Sequence, residues 1–356
     1  MKTIVLFFGF FAFFVLFIFF SKELGNGVRQ GISLCGELVI PALFVFLCFC
    51  EWVCLSQSIQ SVSFVLQPLF RFVLGKGFTG NIPLLLCLIG GYPMGASALA
   101  IMRKNNFVSS DTVKQLALWI FCPSPSFVIT GVGQGMLGSL RAGLILWCCC
   151  VVSCFVSGFV ICRFWGKNRK EPHLDLNGNL HSTNCFSVAI GSATEKMLVI
   201  CATVVLIAGV LSVVSVLPLP AGFQSILYLF TEVTNGCTYL VGKGGSLAEL
   251  GGVLMFGGIA THLQCRMLLG EDAPPYKLYF LVRICQTLLC YGLVWLFCSW
   301  FPNVVQTISV GKFPTVGSVS VLPTVGLLAT CCVFLCSVSQ KPLNRRKYCE
   351  KSGIYS

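Results

Sequence analysis

Long runs of apolar residues recur along the chain and are separated by short polar stretches. A run of about 20 apolar residues can cross the hydrocarbon core of a bilayer as a helix. Uninterrupted runs of this kind occupy residues 4–20, 31–54, 141–161, 197–217, 278–300 and 318–338. Residues 56–75 mix large apolar residues with serine, glutamine and arginine, which is typical of a helix in the membrane interface. The pattern predicts an all-α, polytopic helical bundle in a membrane.

Four further apolar segments contain glycine, and the first two also contain proline; both residue types oppose a continuous helix. Residues 79–102 contain Gly-Gly-Tyr-Pro-Met-Gly at 90–95, and residues 116–137 contain Cys-Pro-Ser-Pro-Ser at 122–126. In the second half, residues 222–245 contain Thr-Glu-Val-Thr-Asn-Gly at 231–236, and residues 250–269 contain Gly-Gly at 257–258. We expect a helix break in each segment.

The same order of elements occurs twice along the chain: a continuous span, an interrupted segment that can fold as a hairpin, a broken span and a second continuous span. This order predicts two repeats, at residues 31–165 and 191–301, joined by a polar linker at 166–190. A membrane anchor helix and a loop occupy residues 1–30. An extra span follows at 302–339, and a basic tail ends the chain at 340–356.

The positions of the basic residues predict how these segments cross the membrane, because cytoplasmic loops carry an excess of Lys and Arg. If residues 79–102 and 222–245 are both re-entrant hairpins, 19 of the 24 basic residues are cytoplasmic. Charge favours the hairpin at 222–245, whereas a crossing segment at 79–102 gives 18 and is nearly as good. With two hairpins, the second repeat is inverted relative to the first, and the amino terminus, linker and tail are all cytoplasmic.

Composition supports a membrane protein and excludes several other classes. Apolar residues make up 56% of the chain, charged residues 10%, and the mean hydropathy is +0.87. The net charge of +12 is scattered between apolar runs, so we expect no nucleic-acid partner. The 22 cysteines lie mostly inside apolar runs and without zinc-site spacing, so we expect no metal and no cofactor. Catalytic motifs such as HExxH, a Walker A run or GxSxG are missing from the sequence, which argues against an enzyme.

Paired helix breaks in matching positions of two halves are the best sequence indication of the solute site of a transporter. The breaks and the polar residues beside them are therefore our candidate solute-binding residues. A competing interpretation is that the breaks only ease helix packing and that the serines satisfy freed backbone groups. The candidates are Gly91, Tyr92, Pro93, Gly95, Ser124, Ser126, Thr234, Asn235, Gly236, Thr261 and Gln264.

Ionisable residues inside the membrane are candidates for function because burying them is costly. Glu232 lies in the second predicted hairpin, and we predict that it binds a coupling proton or Na⁺. The alternative is that it reaches the interface or pairs with Lys243. A lone histidine such as His262 is more often a hydrogen-bonded packing residue. We expect Glu37, Glu51 and Arg283, near the ends of spans, to be interfacial.

Several of these motifs together resemble a known family. They are Gly-Gly-Tyr-Pro-Met-Gly-Ala at 90–96, Phe-Cys-Pro-Ser-Pro-Ser-Phe-Val-Ile-Thr-Gly-Val-Gly at 121–133, Glu-Leu-Val-Ile-Pro-Ala-Leu-Phe at 37–44, and Thr-Asn-Gly at 234–236 with Gly257 to Gln264. The sequence resembles the YlbJ-like sporulation integral membrane proteins of the nucleoside-recognition (Gate) family. The resemblance implies a multi-pass protein of the inner membrane of a spore-forming bacterium, in the forespore or mother-cell membrane, related in architecture to concentrative nucleoside transporters.

These observations predict a transporter of a small polar or anionic metabolite, linked to sporulation. Its partners would be the lipid bilayer, a small-molecule solute and a coupling proton or Na⁺. The family label suggests a nucleoside-like solute, and the resemblance to sporulation proteins suggests a dipicolinate-like one. The alternative is a non-transporting membrane scaffold that is needed for assembly of the spore envelope.

Overall fold

The computed structural model describes residues 14–15, 17–55, 81–104, 108–165 and 185–301. Within these ranges every regular element is a helix. The helices are α1 Ser21–Leu34, α2 Ile40–Leu55, α3 Asn81–Gly90, α4 Tyr92–Lys104, α5 Ser110–Ala117, α6 Leu140–Trp165, α7 Cys185–Val216, α8 Ala221–Thr231, α9 Val233–Gly242, α10 Leu247–Phe256, α11 Gly258–Leu269 and α12 Tyr276–Trp300. Two π-helical segments, Cys35–Val39 and Ser126–Met136, and the 3₁₀ turn Gly270–Asp272 complete the set.

Four segments in the described part of the chain are long and apolar enough to cross a membrane: Leu140–Arg163, Phe186–Val216, Leu247–Asp272 and Tyr276–Trp300. A fifth span is possible if the pair Ser21–Val39 and Leu43–Phe49, bent by 57°, is counted as one. The bend coincides with the π-helical segment and with Pro41, both of which are recognised causes of kinks. The prediction of an all-α, multi-pass membrane protein is confirmed.

Several predicted segments lie outside the described residues. They are most of the first span at 4–20, the interfacial helix at 56–75, most of the linker at 166–190, the extra span and the basic tail. The last residues of the linker, from Cys185 onward, already belong to α7. This helix therefore begins 12 residues before the span predicted to start at Met197.

Two of the four interrupted segments, α3–α4 and α8–α9, fold back on themselves as helical hairpins. In the first hairpin, α3 and α4 lie so close that a Cβ on Gly95 would come within 2.6 Å of the Cβ of Cys87. In the second, α8 and α9 are joined by stacked Tyr228 and Tyr239, whose ring centroids are 4.6 Å apart. Contacts between residues 8 and 11 positions apart show that the chain reverses between the helices of each pair.

The order of elements is the same in both halves of the described chain. A long helix (α2 or α7) precedes a hairpin (α3–α4 or α8–α9). A broken helix follows, formed by α5 with Ser126–Met136 or by α10 with α11, and a long helix (α6 or α12) ends each half. Breaks therefore occur in all four segments in which glycine and proline predict them.

The core consists of three clusters of buried apolar side chains. One lies between segment 126–136, α6, α9 and α10, around Leu146 and Leu254. A second lies between α3, α4, α5 and α12, around the fully buried Trp119. The third joins α2, α4 and α7, around Leu47 and Met197. Each cluster packs close to a helix break, and Gly91, Ser124, Glu232 and Gly257 at the four breaks are all buried.

Residues 21–30, which we expected to form a loop, belong to helix α1. The helix is stabilised by close packing against α7 through Gly27 and Gly31, one turn apart. A Cβ on Gly27 would lie 2.5 Å from the carbonyl oxygen of Ala208, and one on Gly31 would lie 2.8 Å from the Cα of Val205. Small residues at such positions let membrane helices approach closely. We expected a loop because residues 21–30 are partly charged, and the sequence gives no local sign of the contact with α7.

The α1–α7 contact predicts opposite effects for two alanine substitutions in the same helix. Gly27→Ala should destabilise the protein by about 1–3 kcal/mol, because the added methyl group overpacks the contact. Gly25→Ala has nothing within 4 Å of its added Cβ and should be neutral or slightly stabilising, because alanine favours helices. Thermal unfolding in detergent compares the two variants. Equal melting temperatures would contradict the packing argument.

Candidate functional site

The tip of each hairpin packs against the broken helix of its own half. In the first half, Gly91 has a left-handed backbone with φ of 84°, and a Cβ there would lie 3.2 Å from Ser124. In the second half, Glu232 is extended between α8 and α9. A Cβ on Gly258 would lie 2.8 Å from the Cα of Glu232. Only glycine permits both the left-handed backbone and this close approach, which explains the glycines at the two contacts.

These contacts enclose a small cavity, of about 60 Å³, which we call the central cavity. Three of the helix breaks line it, at Gly91, Ser124 and Glu232. Helix α11, which follows the fourth break, lines it as well, together with α2 and α7. Its polar lining residues are Ser124, Thr203, Glu232, Thr234, Thr261 and Gln264. Apolar side chains such as Leu43, Leu47 and Phe127 form the rest of the wall. The lining is therefore mostly apolar, with a few neutral hydrogen-bonding groups and one carboxylate.

The structure brings together seven of the eleven candidate solute-binding residues, and Glu232 lines the same cavity. The seven are Gly91, Tyr92, Pro93, Ser124, Thr234, Thr261 and Gln264. Thr203 and Val204 of α7 also line the cavity, although sequence reasoning did not select them. They lie within an uninterrupted apolar run, so the sequence carried no sign of their position.

The other four candidates lie behind the cavity wall. Gly95 and Gly236 allow the two helices of each hairpin to approach, and a Cβ on Gly236 would lie 3.1 Å from the carbonyl oxygen of Tyr228. Asn235 donates hydrogen bonds from its side chain to Glu232 and, at 3.4 Å, to the carbonyl of Val204. Ser126 is buried at the start of the π-helical segment. These positions shape the site from outside the lining.

Glu232 is buried, with 4% of its surface exposed, and caps the amino terminus of α9. Its carboxylate accepts hydrogen bonds from the backbone N–H of Asn235 at 2.8 Å, from the Asn235 amide at 3.0 Å and from the Thr234 hydroxyl at 3.0 Å. Among the described residues, no Lys or Arg lies within 4 Å of it. The carboxylate is thus solvated by neutral donors and by the helix end, with no paired cation.

Ser124 and Gln264 have partners that fix their orientation at the cavity. The Ser124 hydroxyl accepts the N–H of Phe127 at 3.2 Å and so caps the π-helical segment. The Gln264 amide donates to the Thr203 hydroxyl at 3.0 Å, which joins α11 to α7. Both side chains therefore line the cavity in an orientation that a hydrogen bond within the protein fixes.

The break after α10 leaves backbone carbonyls without helical partners, and side chains satisfy them. Tyr92 donates its hydroxyl to the carbonyl of Leu254. His262 donates from Nε2 to the carbonyl of Phe256 at 2.8 Å, consistent with its expected packing role. Arg283 donates to the carbonyls of Met255 and Phe256. The last turn of a helix always leaves such carbonyls, and buried ones need donors.

Arg283 also reaches the break in the first half. Its guanidinium donates to the carbonyl of Phe121 at 2.7 Å, and its centre lies 5.2 Å from the centroid of the Tyr92 ring. Its neighbour Gln286 donates to the carbonyl of Trp119 at 2.9 Å. We expected Arg283 to be interfacial, but it is completely buried. The signal that could have revealed it is the Arg-x-x-Gln spacing, which places both polar residues on one face of an apolar helix.

A second expectation about charged residues is also wrong. Glu51, predicted to be interfacial, is buried and forms an ion pair with Lys196 of α7. The Lys196 ammonium donates a further hydrogen bond to the Ser97 hydroxyl at 2.7 Å. The pair was hidden because its members are 145 positions apart in the chain. Glu37, by contrast, is exposed and accepts a hydrogen bond from Ser33 at 2.8 Å.

Lys196 lines a second, larger cavity of about 340 Å³, which we call the vestibule. Three residues, Pro93, Ile200 and Gln264, line both the vestibule and the central cavity. The remaining vestibule residues are Ser192, Glu195, Val199, Met267 and Leu268. The two cavities are thus adjacent and share a common wall.

The contacts of Arg283 predict a strong effect on stability. Arg283→Met should lower the melting temperature markedly, because each buried carbonyl that loses its donor costs about 1–3 kcal/mol. Arg283→Lys should recover only part of the loss, since an ammonium cannot reproduce the guanidinium fork. Lys277→Met, at an exposed position on the same helix, is the matched control. Equal melting temperatures for Arg283→Met and Lys277→Met would contradict this role.

Comparison with known proteins agrees with the motif resemblance. The chain is 22% identical over 317 residues to the sporulation integral membrane protein YlbJ of Bacillus subtilis (strain 168), and the aligned region covers 77% of each chain. No family model and no solved structure matches the chain. The nucleoside-recognition (Gate) assignment therefore stays a prediction. The resemblance to YlbJ-like sporulation integral membrane proteins is confirmed, for a chain that is an all-α, multi-pass membrane protein.

Proposed function

We propose that this protein transports a small polar or anionic metabolite across the membrane and that Glu232 binds the coupling cation. The main support is the convergence of three helix breaks, and of the helix that follows the fourth, on the central cavity. Paired interruptions of this kind mark the solute sites of many transporters. Irregular backbone at membrane depth occurs where it is buried in protein or lines a wet cavity. These breaks are buried in protein, and three of them line the central cavity.

In this proposal the two halves are inverted repeats, with α3–α4 and α8–α9 as re-entrant hairpins. The repeated element order supports it, and so does the charge distribution, which favours a re-entrant hairpin at 222–245. The hairpin at 79–102 is drawn as re-entrant by analogy. The architecture would then resemble that of concentrative nucleoside transporters. The hairpin tips at Gly91 and Glu232 would meet near the bilayer centre, each against the break of its own half.

Glu232 is the proposed coupling residue because its charge lacks a permanent partner in the described structure. Removing an ionised carboxylate from water is costly, and three neutral hydrogen bonds compensate only part of this cost. Binding a proton or Na⁺ would remove the rest. The hydroxyls of Thr234 and Thr261, on the same cavity wall, offer further oxygen ligands for an alkali cation.

The size of the central cavity limits what it holds in the described conformation. Its volume of about 60 Å³ has room for a few water molecules or for a cation with one polar group, since a water molecule needs at least roughly 10–15 Å³ of such a cavity. Sites for larger ligands usually enclose about 300–1,000 Å³. We therefore propose that the described state is closed around a cation-sized space and that a whole metabolite enters after the site opens.

The class of solute follows from the groups on the wall. Helix α4 begins at Tyr92, so its positive end faces the cavity and favours an anionic or acceptor-rich group. The corresponding end of α9 is occupied by the carboxylate of Glu232. A planar, oxygen-rich metabolite, nucleoside-like or dipicolinate-like, matches one positive helix end and several hydroxyl donors. An anionic solute would be favoured most with the cation already bound at Glu232.

The proposed biological setting comes from the relative. YlbJ is by its name a sporulation integral membrane protein. By analogy we place this protein in the inner membrane of a spore-forming bacterium, in the forespore or mother-cell membrane.

Transport in proteoliposomes tests the proposal. We expect the wild-type protein to accumulate a nucleoside or a pyridine dicarboxylate when a proton or Na⁺ gradient is applied. Glu232→Gln should lose gradient-driven accumulation but keep passive exchange, because the amide oxygen can still accept the hydrogen bonds from Asn235, whereas the neutral side chain cannot take up a proton and lacks the charge that attracts Na⁺. Glu37→Gln, an exposed carboxylate outside the cavity, is the control and should behave as wild type.

Two results would contradict this scheme at different levels. Full gradient dependence in Glu232→Gln would exclude Glu232 as the coupling residue. An absence of flux for every solute with correctly inserted wild-type protein would favour the alternative, a membrane scaffold for the spore envelope.

The proposed topology places Lys104 in the cytoplasm and Lys243 outside. Both side chains are exposed, so cysteines at these positions should react readily with a membrane-impermeant thiol reagent. In intact cells we expect labelling of Lys243→Cys and protection of Lys104→Cys, after subtraction of the parent chain's own labelling. Labelling of both from the same side would contradict the arrangement.

A further inference from the structure

The vestibule has a definite position relative to the central cavity. Along α7 its residues, from Ser192 to Ile200, precede the cavity residue Thr203. Along α11 its residues Met267 and Leu268 follow the cavity residue Thr261. Both helices therefore place the vestibule between the central cavity and the face where α7 begins and α11 ends. In the proposed topology this is the cytoplasmic face.

We propose that the vestibule is an aqueous, cation-attracting entrance through which the coupling cation reaches Glu232. This inference rests on the proposed function for its ligand, but its geometry is independent of it. The volume of about 340 Å³ accommodates on the order of ten water molecules. The wall shared with the central cavity consists of Pro93, Ile200 and Gln264, of which Gln264 supplies a polar side chain at the junction.

The charges along this route determine the sign of the ion that it attracts. Among the described residues that line the two cavities, the charged ones are Glu195, Lys196 and Glu232. Lys196 is neutralised, because its ammonium is held by the Glu51 carboxylate and the Ser97 hydroxyl. The side chain of Glu51 is only 2% exposed, so it compensates Lys196 from behind the wall.

With Lys196 compensated, Glu195 and Glu232 leave the route with a net negative charge. A cleft lined by one sign of charge and bounded by low-dielectric walls focuses its field and concentrates the opposite ion. The vestibule therefore favours an alkali cation or hydronium over an anion. The Glu51–Lys196 pair sets this preference, since an unpaired Lys196 would cancel the charge of Glu195.

Thiol modification measures both access and charge without requiring transport. Val199 lines the vestibule and is 48% exposed, whereas Leu206, on the same helix, is 59% exposed but lines neither cavity. In open membrane fragments, we expect Val199→Cys to react several-fold faster with a cationic methanethiosulfonate than with an anionic one. Leu206→Cys faces lipid and should react slowly with both. The parent chain's labelling is subtracted from each.

Charge variants in the Val199→Cys background test the electrostatic part. Glu195→Gln, at an exposed position that tolerates an amide, should reduce the cationic preference several-fold. Glu51→Gln should reduce it similarly by freeing Lys196, and Lys196→Gln should increase it. If Val199→Cys is as unreactive as Leu206→Cys, or if the two reagents react equally, the entrance does not exist as proposed.

The labelling and transport experiments separate the two proposals. A protein that labels as expected but carries no solute would overturn the transporter and leave an aqueous cation route to Glu232. A protein that transports but shows no cation preference at position 199 would overturn the entrance alone.

Discussion

The fold depends on satisfying backbone carbonyls that its helix breaks leave in the interior. Water is absent from the core of a bilayer, so a freed carbonyl there needs a donor from the protein. Arg283 supplies donors to both halves, reaching the carbonyl of Phe121 in the first and those of Met255 and Phe256 in the second. Tyr92 lies against the same guanidinium and caps Leu254. One side chain thus ties three separate segments to α12.

Because the breaks are held in place, the hairpin tips have a fixed surface to pack against, and Glu232 acquires two functions at once. Its carboxylate caps α9 by accepting the N–H of Asn235, and it also faces the central cavity. A carboxylate stabilises a helix start better when it is ionised. If Glu232 binds a cation as we propose, the strength of the cap would change with it, and occupancy of the cavity would be coupled to the structure of the hairpin tip.

The sequence predicts the breaks better than it predicts what stabilises them. Glycine and proline at 90–95, 122–126 and 257–258 act locally, through backbone geometry, so their effect is visible in the sequence. The cavity residues next to these breaks follow from them, whereas those on α2 and α7 do not. Arg283, Glu51 and Lys196 act through partners far along the chain, and helix α1 forms because Gly27 and Gly31 fit α7. Such tertiary contacts have no local signature, which explains the errors at these positions.

Two buried carboxylates in this protein are treated differently, and the difference bears on function. Glu51 has a permanent cation, Lys196, whereas Glu232 has only neutral donors among the described residues. The fold can therefore neutralise a buried carboxylate with its own residues, but it does not do so at the hairpin tip. A buried charge that has no partner of opposite charge is costly in free energy. An external cation or a proton at Glu232 would lower that cost, which is the physical basis of the cation binding that we propose at this residue.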